Sequence, residues 1–109
     1  MDPMLRKSLA QTIYVAQRSG IARASGQPQW GSPAATSARV EPSTKLIYGS
    51  SGTAHGSSHC VVTATRVRMG DLVWLPGADS SVRAEAKEPL RVDELSDERG
   101  TVHHYEVWL

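Results

Sequence analysis

The chain has no phenylalanine, a single cysteine and no long apolar run. With Cys60 alone, a disulfide within these 109 residues and a zinc cage of thiolates are excluded, so packing must hold the fold. A membrane-spanning helix needs about 18 consecutive apolar residues, and no stretch approaches that. The opening MDPMLRKSLA has no apolar centre of the kind a secretory signal carries, so the expected compartment is the cytosol. Net charge is small as well: +1, which argues against a protein whose main task is wrapping phosphate backbones. Helical spacing is scarce. Met4, Leu5, Ser8 and Leu9 could make a turn or two, as could VRAEAKEPL, where Pro89 stops the helix.

What is present points to β structure. At 39% hydrophobic and 21% charged residues the composition fits one soluble globular domain, too apolar for disorder. TIYVAQR (12–18), SARVEPSTKLIY (37–48), HCVVTATRV (59–67), DLVWL (71–75), LRVDEL (90–95) and VHHYEVWL (102–109) all favour strands, several with period-2 alternation. In GDLVWLPG a Gly-Asp turn precedes a short apolar strand that Pro76-Gly77 ends, because proline cannot donate to a ladder. The expected fold is all-β: a small single-domain β-barrel or sandwich with little helix and long loops. Two segments, about 18–37 and 48–59, are rich in Gly, Ser and Ala and read as flexible excursions or the tip of a long hairpin.

The candidate barrel core is Val40, Val62, Leu72, Trp74, Val92, Tyr105 and Val107. Alternation along 102–109 turns Tyr105, Val107 and Leu109 inward, with His104, Glu106 and Trp108 on the other face. Trp74 and Trp108 lie in the most apolar strands, where packing is the expected job; Tyr48, at a loop margin, is a candidate surface anchor.

No catalytic or metal signature stands out. His55, His59 and Cys60 lie close in sequence, but a Gly/Ser loop does not fix ligand geometry, and Cys60 within HCVVTAT reads as a small buried hydrophobe. His103 and His104 are neighbours on an expected strand, where successive side chains face opposite sides and cannot share one ion. The Gly-rich loop matches neither common phosphate-binding pattern, and no cofactor is implied. Charge is unevenly spread. Residues 1–48 carry six basic side chains against Asp2 and Glu41, net +4; residues 88–109 carry Arg91 and Arg99 against six acids, net −4. Opposite-sign faces of that kind could meet between neighbouring copies in a head-to-tail ring.

Several of these pieces together resemble the head-closure proteins (stoppers, or head-tail joining proteins) of long-tailed bacteriophages. The likeness covers roughly residues 36–109: an ARVE strand at 38–41, a variable hairpin, the turn-strand GDLVWL, a P-x-x-V strand from Pro89 to Val92, and the ending HHYEV. It is a likeness of spacing, shared in part by tail-terminator and adaptor proteins of similar size, and the Ala/Ser-rich stretch 18–37 departs from it.

The resemblance implies a non-enzymatic β-barrel that forms a ring, expected to be a hexamer, in the virion neck beneath the portal and adaptor rings. Such a ring closes the DNA exit channel and receives the tail through tail-terminator or tail-tube proteins. Double-stranded DNA passes through it without sequence-specific binding. On this reading Gly49, Ser50, Ser51, Gly52, Thr53, Ala54, His55, Gly56, Ser57 and Ser58 form the candidate channel gate, long, small and free of lysine and arginine. Trp30 and Tyr48 are the candidate partner-docking residues, Trp30 either ordering in a partner's groove or folding back on its own core. An oligonucleotide-binding β-barrel is the alternative of another class.

Overall fold

A computed structural model of the chain describes residues 11–21, 26–44, 46–48, 54–96, 99–100 and 102–109. Its strands are β1 (Gln11–Ala16), β2 (Arg18–Ile21), β3 (Pro28–Trp30), β4 (Ala34–Pro42), β5 (Leu46–Tyr48), β6 (Ala54–Gly56), β7 (His59–Thr63), β8 (Leu72–Trp74), β9 (Arg91–Ser96) and β10 (Val102–Trp108). Six of them make one antiparallel sheet in the order β8-β1-β4-β7-β10-β9, curled into a half-barrel. β2 pairs with β3 and β5 with β6 as separate two-stranded sheets. The all-β expectation holds. Of the two expected helical stretches, the first falls outside the described residues, and the second is one 3-10 turn, Arg83–Glu85.

The curl encloses Ile13, Val15, Ala38, Val61, Val67, Val73, Tyr105, Val107 and Leu109, with Val40, Leu75 and Val92 packed against them. Mostly aliphatic, β-branched side chains at every second position suit a tightly curved sheet, since each packs against cross-strand neighbours on one face. Thr63, fully buried in this interior, donates its Oγ1 hydrogen to the carbonyl of Ser37 at 2.9 Å, so its polar atom is satisfied.

Three residues expected in the barrel interior are buried elsewhere. Leu72 and Trp74 flank Val73 on β8 and face the opposite side, where they pack with Ala16, Trp30, Ala78 and Ala86. Val62 is likewise on the outer face of β7, with Cys60 and Trp108. In a strand between two covered faces, all of LVW can be buried, and the apolar run alone cannot say which residue points in.

The open side of the half-barrel is crossed by the chain itself. Val73 exchanges two backbone hydrogen bonds with Lys87, at 2.9 and 2.8 Å, and the Leu90 amide donates to Trp108 at 2.7 Å just before β9 begins. Residues 87–90 therefore run from one edge strand, β8, to the other, β9, and the edge of β8 is paired rather than left bare. Pro89, which has no amide to satisfy, is buried in this crossing.

The two segments expected to be flexible contain ordered strands. Within 18–37, β2 and β3 form a hairpin and β4 starts at Ala34, four residues before the ARVE motif; residues 22–25 lie outside the described residues. Small residues are poor strand formers by propensity, but the ladder to β1, with Ala34 opposite Val15 and Ala35 opposite Tyr14, supplies the missing hydrogen bonds.

Candidate functional site

Beyond Pro42 and His59 the β4–β7 ladder continues as an arm. β4 and β7 pair from Ala38 opposite Thr63 to Pro42 opposite His59. The Ser43 amide then donates to the Ser58 carbonyl at 3.0 Å, and the pairing resumes as β5 with β6, Leu46 opposite Gly56 and Tyr48 opposite Ala54. Ladder and arm are thus one extended hairpin. Along β5 the alternation is sharp: Ile47 is buried, whereas Leu46 and Tyr48 are 59% and 70% exposed. These two large side chains share one strand face, which no described residue covers.

The arm's base is stitched to the C-terminal end of β10. The Ser58 and His59 amides both donate to the Leu109 carbonyl, at 2.6 and 3.3 Å, and the Leu109 amide donates back to the His59 carbonyl at 2.9 Å. Ser57 is buried, its hydroxyl donating to the His59 carbonyl at 3.1 Å, and the Ser58 hydroxyl bonds Nδ1 of His59 at 2.9 Å. The expected gate segment 49–58 is placed only in part. Residues 49–53 lie outside the described residues, 54–56 are strand, and Ser57 and Ser58 are structural hydrogen-bonding residues at the arm's root. Short hydroxyl side chains that look like loop residues are equally good at satisfying backbone groups where a strand kinks.

On the far side of β1 and β8 lies an open groove of about 730 Å³ whose floor includes Trp30, Trp74, Leu72 and Arg83. Trp30 folds back on its own chain: its Nε1 donates to the Gly70 carbonyl at 2.8 Å, and the Arg83 guanidinium lies 4.1 Å over the ring. Of the two arrangements open to Trp30, the structure holds the self-packed one, with the indole half-buried against Leu72 and Trp74. Trp74 Nε1 donates to the Val82 carbonyl at 2.9 Å, which ties the 3-10 turn down. Beside it, Asp79 accepts hydrogen bonds from the hydroxyl and amide of Ser81, which hold its carboxyl below the usual carboxylate range. Tyr48, the other expected docking residue, stands exposed on the arm.

Asp71 organises this side. Its carboxylate is buried and accepts the Arg18 amide at 3.0 Å and the Arg68 amide at 2.9 Å. The turn that presents it closes with the Asp71 amide on the Arg68 carbonyl, and Gly70 at its third position has φ +93°, a conformation that disfavours any side chain.

The chain matches no family model, no curated protein and no solved structure. The remaining candidates of the sequence are placed as follows. Cys60 is buried with Val62 and Trp108. Among the described residues no group of three or more His, Cys, Asp or Glu side chains is arranged to hold a metal ion. His103 and His104, expected on opposite faces, instead touch: their Nδ1 atoms are 3.1 Å apart and their rings meet edge to face. Sequence reasoning missed Leu46 as an exposed residue and Asp71 as a clamp. The alternation in LIY was a visible signal for the first; the second depends on Arg18, 53 positions away, and had none.

Proposed function

We propose that this chain is a structural neck component of a tailed bacteriophage, a subunit of a ring that closes the DNA exit channel below the portal and adaptor and offers the tail its attachment surface. The observation that carries the reading is the arm: an extension of the main ladder whose Leu46 and Tyr48 no described residue buries. Apolar side chains on a projecting hairpin are suited to a neighbouring copy, and a repeated contact of that kind closes a ring. The opposite net charge of residues 1–48 and 88–109 supports a head-to-tail contact between copies. The compact, curled all-β body supports the same reading, since a ring subunit needs a rigid body from which hairpins extend.

An oligonucleotide-binding barrel is less well supported. Its aromatics would need several open faces for stacking, whereas Trp74 is buried and Trp30 carries Arg83 over its ring, leaving Tyr14 and Tyr48 as the exposed aromatic side chains among the described residues.

Electron microscopy of particles produced without this gene tests the proposal. DNA-free, tailless heads beside complete free tails are expected. Normal tailed particles overturn it, and abnormally long tails on closed heads reassign the chain to the tail-terminator ring.

A further inference from the structure

We propose that His103 and His104 form an open chelating site for a divalent transition-metal ion, with zinc, nickel or copper as the class of ligand. In a regular strand consecutive side chains diverge, but β10 carries an extra residue here. Val102 pairs with Ser96 while His104 pairs with the very next residue, Leu95, so His103 is a bulge residue. A bulge opposes two residues to one on the partner strand and re-aims side chains. Its result is two half-exposed imidazoles with Nδ1 atoms 3.1 Å apart, ring centroids 5.4 Å apart and planes at 79°.

The contact requires that one Nδ1 carry a hydrogen and the other a lone pair. The donor imidazole can instead carry that hydrogen on its Nε2; after this tautomer shift both Nδ1 lone pairs are free to turn toward one cation, and the pair becomes a chelate. At metal–nitrogen distances of about 2.05 Å, a nitrogen separation of this size subtends about 98° at the metal, between the octahedral and tetrahedral angles. Steeply inclined rings keep the two imidazoles from colliding when both bind one ion. Two imidazole nitrogens favour the borderline metals over magnesium or calcium, which prefer oxygen donors. Because no third His, Cys, Asp or Glu joins them among the described residues, the shell is left open to water or to a donor from another molecule.

The test is a titration of the tag-free, metal-stripped full chain with zinc or nickel, followed by calorimetry. One ion per chain is expected, with affinity falling at least about tenfold in His103→Gln and in His104→Gln, since either substitution destroys the chelate. His59→Gln serves as the control and should leave binding unchanged. Substitution at a bulge could disturb the strand, so a second readout uses the unaltered protein. Copper(II) added substoichiometrically should broaden the amide signals of residues 102–105 and of Leu95 and Ser96 first. Absence of binding, unchanged affinity in both variants, or broadening centred on His55 and His59 overturns the site.

Discussion

The backbone amide of Arg18 donates to the carboxylate of Asp71 across 3.0 Å and 53 positions of sequence. The same carboxylate accepts the amide of Arg68, so one buried side chain fastens the start of the β2–β3 hairpin to the turn before β8. Trp30, at the other end of that hairpin, adds its indole hydrogen bond to Gly70 in the same turn. The hairpin is held at two points and covers Leu72 and Trp74.

Asp71→Ala removes both acceptors and leaves two amides without partners. The expected loss is about 2–4 kcal/mol, because hydrogen bonds to a charged acceptor are the strong ones and orphaned donors retain their desolvation cost. Equilibrium urea denaturation measures it; a loss below about 1 kcal/mol would show that water replaces the carboxylate.

Gly70→Ala should be costly where Gly31→Ala is not. At Gly70 the backbone has φ +93° and a new Cβ would meet the Arg18 side chain at 3.2 Å, whereas at Gly31 the nearest atom is 3.8 Å away and φ is not positive. About 1–2 kcal/mol is expected for the first and under about 0.5 for the second. Equal midpoints in thermal melts would contradict this.

Trp74→Ala empties the centre of the second cluster and removes the indole hydrogen bond to the Val82 carbonyl, which keeps only the Glu85 amide. A loss of about 3–5 kcal/mol is expected, enough to prevent folding of a small domain and hence ring formation. Trp74→Phe keeps most of the volume and should fold with a smaller loss. A soluble, fully assembling alanine variant would defeat the prediction.

Asp79 gives a pH test. Its folded carboxyl titrates below the ordinary value because the Ser81 hydroxyl and amide bond the ionised form. Stabilisation by this group is therefore present above the ordinary carboxylate range and disappears as pH falls through the lower, folded value. Carboxyl carbon NMR titration should show the Asp79 midpoint rise toward the ordinary value in Ser81→Ala; an unmoved midpoint would remove Ser81's hydroxyl as the leading cause.

Leu46→Ser combined with Tyr48→Ser separates folding from assembly. Both side chains are exposed in the isolated subunit, so its stability should change by no more than about 0.5 kcal/mol. Sedimentation at rising protein concentration should show oligomers in the original chain and only monomer in the variant. Oligomers that persist unchanged would place the contact elsewhere than on the arm.

Much of the architecture was legible because it is local. Alternation along residues 102–109 placed Tyr105, Val107 and Leu109 inward, and all three are buried. The Pro76-Gly77 stop is a turn closed by the Ala78 amide on Leu75, with Gly77 at φ +87°. The candidate site was legible only in outline. Tyr48 was recognisable as a surface residue, but the serines at 57 and 58 read as loop, whereas Ser58 anchors the Leu109 carbonyl and Ser57 bonds the His59 carbonyl.

The sequence by itself determined an all-β chain with its strands near where they lie, because a period of two and the turn chemistry of Gly, Pro and Asp act within a few residues. Tertiary structure alone decided which face of an apolar strand is the interior: Val73 faces in, while Leu72 and Trp74 are buried only because the β2–β3 hairpin and residues 78–86 cover them. It likewise ordered the Ala/Ser-rich start of β4, through hydrogen bonds from β1 that its own side chains do not specify. It also brought His103 and His104 together, because the bulge depends on the register with β9 and not on β10 alone. Each of these depends on partners distant in the chain, and pairing across such distances follows from the whole fold.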